Sequence, residues 1–443
     1  MLRTAECGKA EDRSVNGFFT PSQPGSVLLN ARRLLEELLC DYSGPVSVRL
    51  WNGEIVVGSG GAPCMLTFNQ PGPLRELVIR RDWYTLAESF ILGLVDVDGD
   101  FEAVVSLVAT LQKSGFSRRS RLRMMWRAAR LPYYDFRDGL GSVANDGKSR
   151  ANCLESIAHH YDLSNEFYKL WLDPEMTYSC AYFKEESQSL AKAQSDKIDH
   201  ILRKLRLKPG QTLLDIGCGW GGLAIQAARE YGALAYGITL SERQFSHAVE
   251  RVQKEGLQDK VKIELKDYRD LPHDQRFDRI VSVGMFEHVG IASFPEYFGF
   301  VKRALGPEGL FLNHGITNYS GWNPDPAQRF LNKYVFPDGE LTKLSVVINA
   351  MEEADFEIFD VENLRCHYTM TLRRWVRSLE ENREKVTNLV GDMTYRIWRL
   401  YMGASACGFD NGEDMVFQIL GGHRGGARST PLRRDDIYAG MTR

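Results

Sequence analysis

The spacing of apolar residues divides the chain into two unlike regions. Over 27–39 leucines recur at helical intervals, and short apolar runs at 46–50 and 54–57 flank Trp51-Asn52-Gly53, which predicts a β-hairpin. Residues 65–68 and 74–79 read as strands that extend this sheet, while 83–94 and Phe101–Lys113 read as helices. From residue 195 a stricter alternation takes over. Ile198, Ile201, Leu202 and Leu205 share one helical face over 195–207; then 213–216, 235–238, Val261–Leu265, Phe277–Val283 and 309–312 read as buried strands with helical segments between them. Strands spaced by helices predict an α/β fold, a Rossmann-like parallel sheet whose ligand crevice lies at the carboxyl ends of its strands. The region before it reads as a smaller α+β domain.

The first strand of that sheet opens onto the stretch around which the rest is organised. Leu213-Leu214-Asp215-Ile216 runs into Gly217-Cys218-Gly219-Trp220-Gly221-Gly222, and helical spacing resumes at Leu223. Such glycines allow a tight turn and a close approach of backbone to ligand. The third glycine of a dinucleotide fingerprint is missing and no Lys-Ser or Lys-Thr follows, so the pattern suits a ligand without phosphates. S-adenosylmethionine fits, with Asp215 placed to hold its ammonium directly or through water. A structural glycine turn and a nucleotide site are the competing readings. Thr239-Leu240, Asp267-Tyr268 and Glu287 also fall at strand ends. Many methyltransferases of this class place an acid after the second strand to grip the ribose; here the chain reads Gly237-Ile238-Thr239-Leu240-Ser241, so Thr239 and Gln244 are expected to substitute. Asp267 suits the adenine amino group.

A chain of 443 residues exceeds the usual single core, and 43% hydrophobic content supports more than one. The expected division is a domain over 1–140, a Gly/Ser/Asn-rich linker over 141–152, the sheet domain over 153–420 and a flexible Gly/Arg tail over 421–443. A net charge of −3 gives no overall bias towards nucleic acid. The eight cysteines show neither paired nor zinc spacing, which points away from a metal site and towards reduced thiols in a cytoplasmic protein. The start lacks the apolar core of a signal peptide, and no run approaches the roughly 18 apolar residues of a membrane span. One local exception to the neutral balance is the segment 118–137. Its seven arginines against Asp135 are interleaved with Met124, Met125, Trp126, Leu131, Tyr133, Tyr134 and Phe136. That mixture suits the surface of an anionic membrane, and equally a solvated helix packing its apolar side on a neighbour.

Four polar positions stand in unusually apolar company: Cys180, Glu287, His314 and Tyr368. Singly, each has a structural explanation as a buried thiol, a core histidine or a packed ring. Together with the ordered motifs 157–162 (Ile-Ala-His-His-Tyr-Asp), 178–183 (Tyr-Ser-Cys-Ala-Tyr-Phe), 214–222, 267–271 (Asp-Tyr-Arg-Asp-Leu), 277–290 and 332–337 (Asn-Lys-Tyr-Val-Phe-Pro), they make residues 156–420 resemble the cyclopropane-fatty-acid synthase family. The first domain resembles that family's smaller lipid-binding domain more loosely.

The resemblance implies a class I methyltransferase that uses S-adenosylmethionine to add a methylene across the cis double bond of unsaturated phospholipid acyl chains. It implies a bicarbonate ion as base, held by the side chains of Glu287, His314 and Tyr368 and the backbone amides of Cys180 and Ile316, so Cys180 is no nucleophile. Tyr178, Ser179, Gly217, Gly219, Thr239, Leu240 and Gln244 are then expected to line the donor site with Asp215, Asp267 and Tyr268. His314-Gly315-Ile316 departs from the family's usual His-Thr-Ile, and a glycine there is expected to loosen the Ile316 amide. A homodimer on the inner membrane face follows by the same likeness. Competing readings are a methyl- or methylene-branched product from the same alkene, an inactive lipid-binding relative, and N-methylation of a small amine.

Overall fold

The computed structural model describes residues 24–80, 83–113, 115–134, 163–321, 326–336, 339–426 and 430–438. The leader up to residue 23, the linker 141–152 and the motif 157–162 lie outside the described residues. In the first region, helix α1 (Pro24–Leu38) precedes β1 (Val46–Arg49) and β2 (Ile55–Val57), an antiparallel pair around the expected turn. Strand β3 (Cys64–Phe68) joins β1 in parallel.

Two elements differ from the sequence reading. Residues 74–79 do not extend the sheet but belong to helix α2 (Pro71–Arg80). Pro71 and Pro73 preset a helical first turn, Leu74, Leu77 and Val78 recur at three and four residues, and Glu76 pairs with Arg80 one turn on at 2.7 Å. Helix α3 (Trp83–Ile91) stops short of residue 94, and Val95–Gly99 forms β4, where Val95 and Val97 point inward and the aspartates outward. The sheet order is β2-β1-β3-β4. With α4 (Phe101–Lys113) and α5 (Arg118–Ala128) it closes over a core that includes Leu34, Val48, Leu66, Phe68, Leu77 and Leu107.

The second region holds β5 (Thr212–Ile216), β6 (Leu234–Thr239), β7 (Val261–Leu265), β8 (Phe277–Val283), β9 (Leu305–Asn318), β10 (Phe356–Asn363) and β11 (Asp414–His423). Their order is β10-β11-β9-β8-β5-β6-β7. The five expected strands are parallel, but β11 lies antiparallel between β9 and β10, so the sheet is mixed at one edge. Strand β11 also corrects the expected tail. Gly421 and Gly422 pair with Phe311 and Leu310 of β9, and a Cβ on either would stand 3.0 Å from the Glu357 carbonyl oxygen or 2.9 Å from that of Gly309. These glycines serve close strand contact rather than looseness. Beyond them, Asp435–Tyr438 is helical, with Ile437 buried and Asp436 paired to Arg206 at 2.8 Å.

Buried arginines join the two regions. From the helix Asp392–Asn411, Arg399 donates to the Val97 carbonyl at 2.7 Å and Arg396 pairs with Asp96 at 2.7 Å. Helix α5 resolves the two readings of the arginine-rich segment into two faces. Inward, Met124 and Ala128 are buried and Arg123 and Arg127 are tied to Glu37 of α1. Outward, Leu122, Met125 and Trp126 are 68, 48 and 56% exposed, beside exposed Arg118, Arg119 and Arg121, with Arg130 stacked 3.1 Å over the Trp126 ring. Among the described residues no helix is long and apolar enough to cross a membrane.

Candidate active site

The crevice opens at the carboxyl end of β5. Gly217, Gly219 and Gly221 all adopt positive φ, which lets the chain turn sharply from β5 into the helix Gly222–Tyr231. The Gly217 and Cys218 amides bond the Ile238 carbonyl at 3.0 and 2.9 Å, which fixes the loop against β6. Above it lies a cavity of about 440 Å³ lined by Tyr178, Ser179, Asp215, Gly217, Gly219, Leu240, Gln244, Asp267 and Tyr268. Thus nine of the ten residues expected for the donor share one space. Thr239 does not line it: its hydroxyl donates to Gln244 Oε1 at 2.8 Å and so braces Gln244 from behind. Asp267 lines the cavity with Arg269 bound to its carboxylate at 2.5 Å. Asp215 is buried with Oδ2 lacking a partner, and burial pushes its carboxyl up to about 7.

A second cavity of about 100 Å³ adjoins the first, since Tyr178, Ser179, Gly284 and His288 line both. Cys180, Glu287, His314, Ile316 and Tyr368 all line it. These residues come from four separate segments of the chain. Glu287 sits in the helical turn Phe286–Val289 after β8, His314 and Ile316 sit on β9, and Tyr368 on the helix Arg365–Glu381. Glu287 Oε2 and His314 Nε2 are buried without partners at this point. Desolvation pushes the Glu287 carboxyl up to about 7 and holds the His314 ring well below its usual range, so the imidazole is neutral. Gln418 Nε2 lies 3.2 Å from His314 Nδ1 across β11; with the amide donating, the ring proton sits on Nε2 and faces the cavity. Burial also pushes the Cys180 thiol far up, and its sulfur lies 3.3 Å from the Ala181 carbonyl oxygen, which leaves no thiolate to act as a nucleophile.

The Ile316 amide departs from expectation. It is not loose but donates to Glu287 Oε1 at 2.6 Å. Gly315 makes this possible: a Cβ there would stand 1.9 Å from Phe286 Cε1 and 3.0 Å from Glu287 Oε1. The ring of Phe286 therefore packs onto bare backbone and draws the neighbouring carboxylate onto β9. The amide that was expected to hold an anion instead positions the glutamate. Gly315→Thr is accordingly expected to cost about 1–3 kcal/mol through overpacking, read as a lower midpoint in urea, and to lower turnover because Glu287 moves with Phe286.

Sequence reasoning missed Gln418, Gln194 and Lys197. Gln194 donates to the Ser179 carbonyl at 2.8 Å and Lys197 to the Ser179 hydroxyl at 2.8 Å. Both were visible as polar residues on the apolar face of the helix Leu190–Lys204, beside Ala193, Ile198 and Ile201. Trp171, Tyr178, Trp375 and Trp398 pack edge to face and tilted at 5.3–6.1 Å into an aromatic wall behind both cavities.

Comparison with known proteins follows the same geography. Residues 148–419 match the mycolic acid cyclopropane synthetase family. The chain is similar to a probable fatty acid methyltransferase of Pseudomonas putida, 40% identical over 89% of this chain and 96% of that protein. It is also similar to the cyclopropane-fatty-acyl-phospholipid synthase of Escherichia coli strain K12, 41% identical over 59% of this chain and 66% of that protein. Among solved structures it resembles mycolic acid cyclopropane synthase CmaA1 complexed with SAH and CTAB, at 32% identity and a TM-score of 0.58 over 62% of this chain and 99% of that one.

Proposed function

Because this chain belongs to the mycolic acid cyclopropane synthetase family and is an S-adenosylmethionine-dependent methyltransferase, we propose that it converts the cis double bonds of phospholipid acyl chains into cyclopropane rings. The observation that carries this reading is the convergence of Glu287, His314 and Tyr368 on one small cavity that shares Tyr178 and Ser179 with the donor space.

An alkene is a weak nucleophile, and its attack on a sulfonium methyl leaves positive charge on carbon. A dry pocket stabilises that charge only if a negative group is fixed nearby, and ring closure then needs a base for one methyl proton. The residues present fit bicarbonate. His314 Nε2–H offers a donor and Glu287 Oε2 an acceptor for the ion's own hydroxyl, both buried and otherwise unpartnered, and Tyr368 completes the lining. Bound there, bicarbonate supplies both negative charge and base. Leu331, Phe336, Leu372 and Phe409 give the same cavity an apolar side for an acyl chain.

The Pseudomonas putida relative is named a probable fatty acid methyltransferase, which fits a second reading as well. In that reading the cation formed by the same attack loses a proton without closing a ring and leaves a methyl- or methylene-branched, still unsaturated chain. Lipids from a host expressing the protein decide between the two. A gain of CH2 with loss of olefinic protons and the appearance of high-field ring protons supports cyclopropanation, whereas a methyl branch without ring protons overturns it. Dependence of turnover on added bicarbonate tests the base separately, and its absence would remove bicarbonate from the proposal while leaving methyl transfer intact.

The substrate lies in a bilayer, and the outward face of α5 suits docking there. Leu122, Met125 and Trp126 offer apolar bodies between arginines. Leu122→Glu with Trp126→Glu is expected to weaken co-sedimentation with vesicles containing anionic phospholipid by about tenfold or more, without changing calorimetric affinity for S-adenosylhomocysteine. Undiminished co-sedimentation would move the docking face elsewhere.

A further inference from the structure

One charge in the donor cavity is poorly served by the protein. Lys197, on the helix Leu190–Lys204, is only 2% exposed, lines the cavity and spends a hydrogen bond on Ser179 Oγ at 2.8 Å. Among the described residues no carboxylate forms an ion pair with it. Of the two acids that feel its charge, Asp173 already accepts from the Glu175 and Thr177 amides at 3.0 and 2.8 Å, and Asp215 attracts it only at longer range, without an ion pair. The Cys180 thiol beside it stays neutral. A buried ammonium served by a hydroxyl alone is costly, and the cost shows in Lys197 being held down to about 8. Asp215 presents the opposite deficit on the same cavity, a buried carboxylate oxygen with no partner.

A wall with one under-served cation and one under-served anion is the complement of a zwitterion. We infer that Lys197 recognises the carboxylate of the methyl donor's amino-acid end, acting with the Ser179 hydroxyl that it holds, while Asp215 takes the neighbouring ammonium. Lys197 is then a specificity residue for the donor: it makes the site select an intact α-amino acid over an adenosyl thioether that bears only an amine. The cost of the empty site is recovered when the ligand's two charges complete both residues.

The test is calorimetric titration of the full chain with S-adenosylhomocysteine and with S-adenosyl-3-thiopropylamine, the same thioether without its carboxylate. Wild type is expected to prefer S-adenosylhomocysteine by about 10- to 100-fold, the range of a charge-assisted hydrogen bond. Lys197→Met, which keeps the volume and removes the charge, is expected to bind the two within about threefold. Equal affinity of wild type for both ligands overturns the inference, as does a Lys197→Met protein that keeps the preference or loses both ligands alike. Should Lys197→Met not fold, Lys197→Gln is read by the same two ligands, and the wild-type comparison stands without either variant.

Discussion

Glu287→Gln is expected to lower kcat by about 10²- to 10⁴-fold while leaving affinity for S-adenosylhomocysteine within about twofold. The side chain reaches the small cavity and not the donor space, and one of its oxygens is already fixed by the Ile316 amide at 2.6 Å. The amide of glutamine can imitate the shape but cannot accept with both oxygens, so the anion's hydroxyl loses its acceptor. The pH profile sharpens the prediction. Burial raises this carboxyl to about 7 against the opposing Ile316 hydrogen bond, so it is protonated below that value and ionised above it. With donor saturating and bicarbonate ion held constant, wild-type kcat should climb as pH rises through about 7, and the variant's should not. Equal losses of turnover and of donor affinity would mean that Glu287 shapes the cofactor pocket instead. The same shift acts on stability with a definite sign. A carboxyl whose value is raised by folding contributes most at low pH and loses that contribution as pH rises through 7, so Glu287 and Asp215 stabilise the ligand-free protein more at pH 5.5 than at pH 8, and His314, lowered by burial, acts in the opposite sense.

Asp215→Asn is expected to weaken S-adenosylhomocysteine binding by about 100-fold, since a buried charge-assisted hydrogen bond to the ligand's ammonium is lost. The wild-type protein should mimic this loss as pH falls, because Asp215 takes up a proton near 7 when no ammonium faces it. Calorimetry at pH 8 and pH 5.5 checks both statements: wild type should lose affinity on acidification while the Asn variant stays flat. A variant as tight as wild type at pH 8 would assign the ammonium to another group. Because Asp215 governs binding and Glu287 turnover, saturating donor separates their titrations even though both lie near 7.

Much of the site could be read from the chain because its logic is local. The turn after β5 needs glycine at positive φ, and Glu287 follows directly on an apolar strand, so both left a mark within ten residues. Less legible were features that depend on contacts distant in sequence. Strands β10 and β11 are mixed in polarity, and only the pairing of β11 with β9 and of β10 with β11 makes them strands. Gly421 and Gly422 look like a loose tail unless the carbonyls of Glu357 and Gly309 are known to press on them. Gly315 looks like a loosened turn until Phe286 is placed against it. Lys197 and Gln194 were marked by their polarity on an apolar helical face, but what they serve, Ser179, lies on a different segment.

Strand β11 carries one more consequence. It enters between β9 and β10 only after residues 364–413 have been laid down elsewhere, and it brings Gln418 to the ring of His314. A polypeptide emerging from the ribosome therefore displays its glycine loop and donor crevice well before the histidine tautomer is set. Until the last strand closes the gap, the ring of His314 lacks the neighbour that fixes its proton on Nε2, so the small cavity is the later of the two to be completed.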